Sequence, residues 1–331
     1  MNALTGTGRL VRLILRRDRV LMPLWVLFLG LIPISYVASI NGLFPTAAGR
    51  QEYFDASAHN AGFVALYGRL SGSSLAELVS WRAGFIPVVI GLFSILTVIR
   101  HTRTEEEAGR RELLGSTVVG RHAGLAAALA VTSGANLVLG TVLAAGMIGQ
   151  GLPTAGSVAF GVEFAATGWV FAAVGGVAAQ LTSGAGSARG IAIITLGTAY
   201  VLRVVGDISS LTAAALSWVS WVSWLSPIGW VQRIRPYGGD ESWPAVLAVG
   251  FTVILVLAAV ELSARRDVGA GLLPSRLGRA SGAPGLRSPL ALAWRLHAAC
   301  WPAGSLGSPC SVSYSATSPR TSGTWCVTAP R

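Results

Sequence analysis

The 331-residue chain contains no lysine; all 25 of its basic residues are arginine. It therefore has no P-loop lysine, no Schiff-base lysine and no lysine general base, which excludes nucleotide cradling and lysine-dependent catalysis by this chain. Charge of any kind is scarce. Charged residues make up 12% of the chain, where an ordinary globular domain has about 25%. Most soluble folds are excluded on that ground, because too little charge remains to solvate a surface of this size. The four histidines (His59, His101, His122 and His297) are scattered without an HExxH or comparable spacing, so a metal centre has no support. No G-x-S-x-G elbow occurs. The three cysteines (Cys300, Cys310 and Cys326) all fall near the C-terminus. No enzyme is expected from these residues.

What is present is apolar. Hydrophobic residues make up 52% of the chain and the mean hydropathy is +0.61. A membrane-spanning helix needs about 20 mainly apolar residues. Six runs approach or meet that length: 20–40, 84–99, 123–148, 155–181, 190–205 and 243–262. The second and fifth are short and need flanking residues to reach both interfaces. The first run follows a basic lead, as a signal peptide does, but it is too long for a cleaved h-region and lacks a clear A-x-A site. The expected fold class is therefore all-α: a polytopic helical membrane protein of about six transmembrane helices with a cytoplasmic N-terminus.

The net charge of +11 first suggests a polyanionic partner, but its distribution suggests a bilayer instead. With the N-terminus inside, segments 1–19, 100–122, 182–189 and 263–297 hold 17 arginines and the outer segments hold 5. That asymmetry is the positive-inside signature, and no nucleic acid partner is expected. Outer segment 41–82 mixes aromatic and charged residues and is expected to form short helices lying at the interface. Segment 206–242 carries Trp218, Trp221, Trp224 and Trp230. The spacing of three puts the first three on one helical face, which suits interfacial anchoring; a stacking platform for a flat substrate is the alternative.

Three polar constellations stand out from this background. The loop after the second run holds Glu105, Glu106, Glu107, Gly109, Arg110, Arg111, Glu112 and Leu113. Its acid-first pairs four residues apart favour a helix, either closed on itself by ion pairing or presented to a cytoplasmic partner. Glu163 lies inside the fourth run, where a carboxylate is a functional-site hypothesis by default, taking a cation or a proton. Its position favours the outer third of that helix. Arg203 and Asp207, four apart at the end of the fifth run, are expected to be a structural pair. The glycine-rich stretch 182–189 reads as a short cytoplasmic turn, and the spacings Gly120/Gly124 and Gly186/Gly190 are weak signals of close helix approach.

The arginine-rich start leading into Pro23-Leu24-Trp25-Val26-Leu27, the stretch from Thr102 to Leu114, and Trp224-Leu225-Ser226-Pro227-Ile228-Gly229-Trp230 with Arg235-Pro236 are the most distinctive parts of the chain. Together they resemble the membrane subunits of actinobacterial type-2 ABC exporters, the group associated with polyketide-antibiotic export. The resemblance covers about residues 9–297. It implies a permease in the bacterial cytoplasmic membrane, driven by a separate ABC ATPase subunit that holds the ATP, with no cofactor in this chain. It also implies that residues 102–114 touch that ATPase. Such permeases commonly join two six-helix halves, so a second half or a homodimer is an expected partner. Two other readings stay open: a secondary transporter independent of an ATPase, and a transport-inactive fragment. The domain expectation is a six-helix half over 1–297 and a disordered tail over 298–331. That tail is rich in Ser, Thr and Pro, and a change of reading frame near His297 would account for its character.

Overall fold

The computed structural model describes residues 3–110, 119–209, 211, 217–266, 271–273, 288 and 294. The chain divides into two compact units, Met1–Ser275 and Arg276–Arg331. Of the second, only residues 288 and 294 are described, so the tail expected over 298–331 lies outside the described residues. The first unit is all-helical among the described residues. It opens with α1 (Thr7–Arg17) and α2 (Leu21–Leu43), followed by three short helices, α3 (Ala47–Ala58), α4 (Ala61–Tyr67) and α5 (Leu75–Arg82). Next come α6 (Ile86–His101), α7 (Arg103–Glu107), α8 (Ala123–Gly149), α9 (Thr154–Leu181) and α10 (Ala185–Ser209). A 3-10 segment (Ser217–Leu225), α11 (Pro227–Gln232) and α12 (Trp243–Arg265) complete it.

Six of these stretches are long and apolar enough to cross a membrane: Leu21–Leu43, Ile86–Glu107, Ala123–Gly149, Thr154–Leu181, Ala185–Ser209 and Trp243–Arg265. They coincide with the six expected runs, and the two short ones gain their missing length from polar flanks. After α6, a break at Thr102 is followed at once by α7, so the arginine-rich loop expected from residue 100 begins only after Glu107. Likewise α10 starts at Ala185, which confines the turn expected over 182–189 to residues 182–184. The helix can begin in so polar a stretch because its first amides are satisfied from outside. The Ala185 amide donates to Glu107 Oε2 at 3.1 Å, and a carboxylate at a helix N-terminus is favourable.

The helix α1 precedes the first span as an amphipathic element. Leu10, Val11 and Ile14 pack on the core while Arg9, Arg12 and Arg16 face outward, the pattern of a helix lying in an interface. Between α2 and α6, the three short helices start at side-chain caps. Thr46 accepts from the Gly49 amide, Asn60 from the amides of Gly62 and Phe63, and Ser74 forms a reciprocal capping box with Glu77. Not all of them lie at an interface as expected. In α5, Ala76, Leu78, Val79 and Trp81 are buried, because this helix packs into the bundle against α2.

At the centre runs α9, which packs against α6, α8, α10 and α12. Its surface is built of alanine and glycine, which lets neighbouring backbones come close where lipid supplies no hydrophobic drive between helices. A reciprocal backbone-to-backbone crossing joins Gly140 on α8 and Gly161 on α9. A Cβ added at Gly140 would sit 2.5 Å from the Gly161 carbonyl oxygen, and one at Gly161 would sit 2.3 Å from that of Gly140. Gly186 and Gly190, which the sequence spacing had suggested, face open space. Near this crossing, Asn136 donates to Ser94 Oγ at 3.0 Å, a polar link between α8 and α6. By contrast, α2 and α12 expose large apolar faces, including Leu24, Phe28 and Leu31 on one and Val246, Val253, Ile254 and Leu257 on the other.

Gly161→Val is expected to destabilise the protein by about 1–3 kcal/mol, the usual cost of overpacking, whereas Gly190→Ala leaves stability unchanged or slightly raised. Thermal unfolding of the two detergent-solubilised variants measures the difference; equal midpoints would refute the crossing.

Candidate functional site

Polar residues gather at both ends of the bundle. At the arginine-rich end, buried charges tie together segments far apart in sequence. Glu106 is buried and accepts from Arg103 on its own helix and from both terminal nitrogens of Arg266, at 2.9 and 2.8 Å. Arg266 also donates through Nε to Gln180 Oε1 at 2.7 Å. Arg103 Nε reaches the Ser183 carbonyl at 2.9 Å, and Arg121 reaches the carbonyl of Arg266 at 2.9 Å. One carboxylate thus connects α7, the end of α9 and the end of α12. Burial pushes the Arg266 guanidinium below its usual pKa range, so Glu106 is the counter-charge that makes burial tolerable. Beside this cluster, the buried Asp18 sits 2.5 Å from His101 Nε2 and 3.1 Å from Arg100, fastening the α1–α2 junction to α6.

The other members of the predicted coupling loop are placed differently. Glu105 pairs with Arg110 at 2.7 Å and with Arg17 of α1, at a partly exposed surface. Glu107 caps α10, as noted above. Gly109 adopts a left-handed conformation (φ 70°) and its amide donates to the Glu106 carbonyl at 2.9 Å. That terminates α7 at a residue whose missing Cβ removes the strain. Arg111, Glu112 and Leu113 lie outside the described residues. Within the described part of this loop, Glu107 and Arg110 are exposed and Glu105 is half-buried between Arg110 and Arg17, while Glu106 alone of the three acids is spent inside the fold.

At the opposite end, Glu163, Arg203 and Asp207, read separately in the sequence, form one neighbourhood. Glu163 is nine residues into α9, about 14 Å along its axis, and is 5% exposed. It lines a pocket of about 70 Å³ together with Asp207, Tyr67, Trp81, Gln232 and Arg233. Arg203 is fully buried on α10, with Asp207 Oδ2 3.7 Å from its Nε. Its terminal nitrogens donate to the carbonyls of Val64, Ala65 and Leu66 at 3.2, 2.7 and 3.4 Å. A guanidinium at the C-terminal carbonyls of α4 meets the negative end of the helix, so the pair also anchors a non-spanning element. Burial holds Arg233 below its ordinary pKa despite the opposing pull of Asp207. Burial also raises the Tyr237 phenol, whose oxygen lies 3.0 Å from Ser157 Oγ.

Of the predicted tryptophans, Trp224 touches a residue of this pocket, Arg233. Trp221 is 70% exposed. Trp224 stacks on Trp243 at 5.2 Å and carries the Arg233 guanidinium 4.2 Å above its ring. Trp230 packs edge-on to Phe251 at 5.3 Å. The Trp218 side chain lies outside the described residues. The segment 217–225 is 3-10, with three residues per turn, so Trp221 and Trp224, three apart, lie along one edge. A third feature is an apolar groove of about 490 Å³ on the flank of the bundle, lined by Phe171, Ile194, Leu202, Trp230 and Phe251 with Thr195 and Thr198.

The residues that sequence reasoning missed are Asp18, His101, Arg103, Gln180, Arg266 and Gln232. The one available signal was position, since each lies at or just beyond an end of a helix; which partners they meet depends on helix packing.

No family model matches the chain. It is 45% identical, over 295 residues and 88% of its length, to the multidrug efflux system permease protein Rv1217c of Mycobacterium tuberculosis. The chain is homologous to that permease. It spans about half (52%) of the length of the relative it matches, with six helices long and apolar enough to cross a membrane among its described residues.

Replacing Glu106 with alanine is expected to destabilise the bundle by about 3–5 kcal/mol, because two buried arginines lose their counter-charge. Arg110→Ala, which breaks an exposed pair, should cost no more than about 1 kcal/mol. Thermal unfolding in detergent measures both, and a Glu106→Ala variant as stable as wild type would refute the buried role of this carboxylate.

Proposed function

We propose that the chain is a six-helix half of an ABC exporter permease that moves amphipathic or antibiotic-like molecules out of a bacterial cell across the cytoplasmic membrane. The observation that carries this reading is the 45% identity along 88% of the chain to a protein named as a multidrug efflux system permease. In this reading the arginine-rich end faces the cytoplasm, by the positive-inside rule, and the pocket around Glu163 opens towards the outside. A separate ATPase supplies the energy, in keeping with a chain that has no lysine for a Walker A loop. The surface cluster of Glu105 with Arg110 and Arg17 is where that ATPase engages, and the apolar faces of α2 and α12 receive a second permease half or a second copy. The flank groove is apolar with two threonines, which suits an amphipathic cargo or an acyl chain.

The test uses everted membrane vesicles containing the tagged chain, its ATPase and any second half, with the amphipathic dye Hoechst 33342 added outside. ATP-dependent, vanadate-sensitive accumulation of dye that persists in the presence of a protonophore is the expected result. Accumulation that collapses with the protonophore and ignores vanadate would replace this reading with secondary transport. For the docking surface, Glu105→Ala combined with Arg110→Ala should reduce recovery of the ATPase with the tagged chain by at least about tenfold, a loss of roughly 1.4 kcal/mol. Undiminished recovery would reject it. These two positions are chosen because a Glu106 substitution would confound docking with folding.

A further inference from the structure

The pocket around Glu163 brings two acceptors that receive no hydrogen bond from the protein to one cavity, which donors and acceptors line together. The Glu163 carboxylate, 95% buried, makes no hydrogen bond or ion pair among the described residues. The Oε1 of Gln232, whose amide nitrogen is spent on the Gly84 carbonyl at 2.8 Å, is also buried without a partner. Both groups line the same cavity. Two unpartnered acceptors facing one small space are costly unless something that donates hydrogen bonds enters it.

The cations already present do not fill that role. Arg203 is a charge neighbour of Glu163, but its terminal nitrogens are committed to the α4 carbonyls and its Nε faces Asp207. Arg233 is held by Ser223 Oγ at 2.7 Å and lies over Trp224. Arg69 and Arg235 are exposed at the edge of the cavity.

The remaining walls include two aromatic rings beside Ser71, Ser80, Glu77 and Asp207. Tyr67 and Trp81 meet at 5.1 Å and 64°, and both line the cavity. The Trp81 indole nitrogen is fixed by the Gly68 carbonyl at 2.9 Å, so its ring cannot turn to offer a donor. A buried carboxylate and an amide oxygen beside two aromatic rings, one of which (Tyr67) already carries the Arg82 guanidinium at 4.6 Å, form a combination that recognises a protonated organic amine. The carboxylate supplies the counter-charge, the amide oxygen accepts an N–H, and the rings pack on the first carbons. A volume of about 70 Å³ admits an ammonium head and its first carbons, while the remainder of such a ligand extends towards the mouth.

We propose that the cavity formed by Glu163, Gln232, Tyr67 and Trp81 is a binding site for the ammonium group of an organic cation, with Glu163 as its counter-ion. The site is read from the fold alone and does not depend on the chain working with an ATPase.

The test is equilibrium binding of tritiated phenethylamine to the purified full-length chain in lipid nanodiscs at neutral pH, without ATPase or nucleotide. Saturable binding is expected, displaced by unlabelled phenethylamine at least about tenfold better than by phenethyl alcohol or phenylacetate. A charge-assisted hydrogen bond contributes about that much. Glu163→Gln, which keeps the shape and removes the charge, should weaken binding by at least about tenfold, and Gln232→Leu should weaken it by a smaller factor. Arg265→Ala, which breaks an exposed pair with Glu261 at the opposite end of the bundle, should leave binding unchanged. The proposal fails if phenylacetate displaces best, since Arg69, Arg233 and Arg235 would then define an anion site. It also fails if Glu163→Gln binds as wild type does, or if monodisperse wild-type protein shows no saturable binding. The order of the three competitors on wild-type protein decides the matter even if a variant does not fold.

Discussion

The bundle depends on backbones that pass one another closely. Inside a bilayer the lipid is as apolar as a leucine side chain, so packing and interhelical polar contacts hold helices together in place of water exclusion. That requirement falls on α9. Its alanine and glycine faces accept α8, α6, α10 and α12, and where Gly140 meets Gly161 there is no room for a single added carbon. Because α9 is so closely surrounded, a carboxylate placed on it at Glu163 is withdrawn from lipid and turned towards a pocket.

Each end of the bundle solves the same electrostatic problem in its own way. At the arginine-rich end, Glu106 joins α7, α9 and α12 by holding Arg103 and Arg266. A buried carboxylate between two arginines is acceptable because every charge has a partner and the hydrogen bonds replace those lost to water. At the other end, Arg203 is paired with Asp207 and spends its remaining donors on backbone carbonyls. Glu163 is left without such satisfaction. The contrast separates charges that hold the fold from one that is available to a ligand.

Much of the fold was legible in the sequence, because spanning a bilayer imposes a length and a composition that a run of apolar residues displays directly. All six spans fall where the apolar runs lie. The misplaced boundaries were those of the short runs, because helices continue into polar sequence once tertiary contacts satisfy their ends, as Glu107 does for α10. The site was legible only in part. The isolation of Glu163 in an apolar run marked it as unusual, and the four-residue spacing of Arg203 and Asp207 foretold their pairing. No spacing connects Glu163 to Gln232 or Glu106 to Arg266, since those meetings cross between helices.

Hydropathy and arginine asymmetry alone determined the helical class, the number of spans and the expected orientation of the ends, because the membrane acts on every residue of a segment together. Only the tertiary structure decided the use of each charge. Glu105, Glu106 and Glu107 are consecutive and chemically alike, yet one lies at the surface, one is a buried bridge and one caps a helix. Successive residues on a helix point about 100° apart, so neighbours in sequence meet different partners, and the packing of helices distant in the chain assigns their roles.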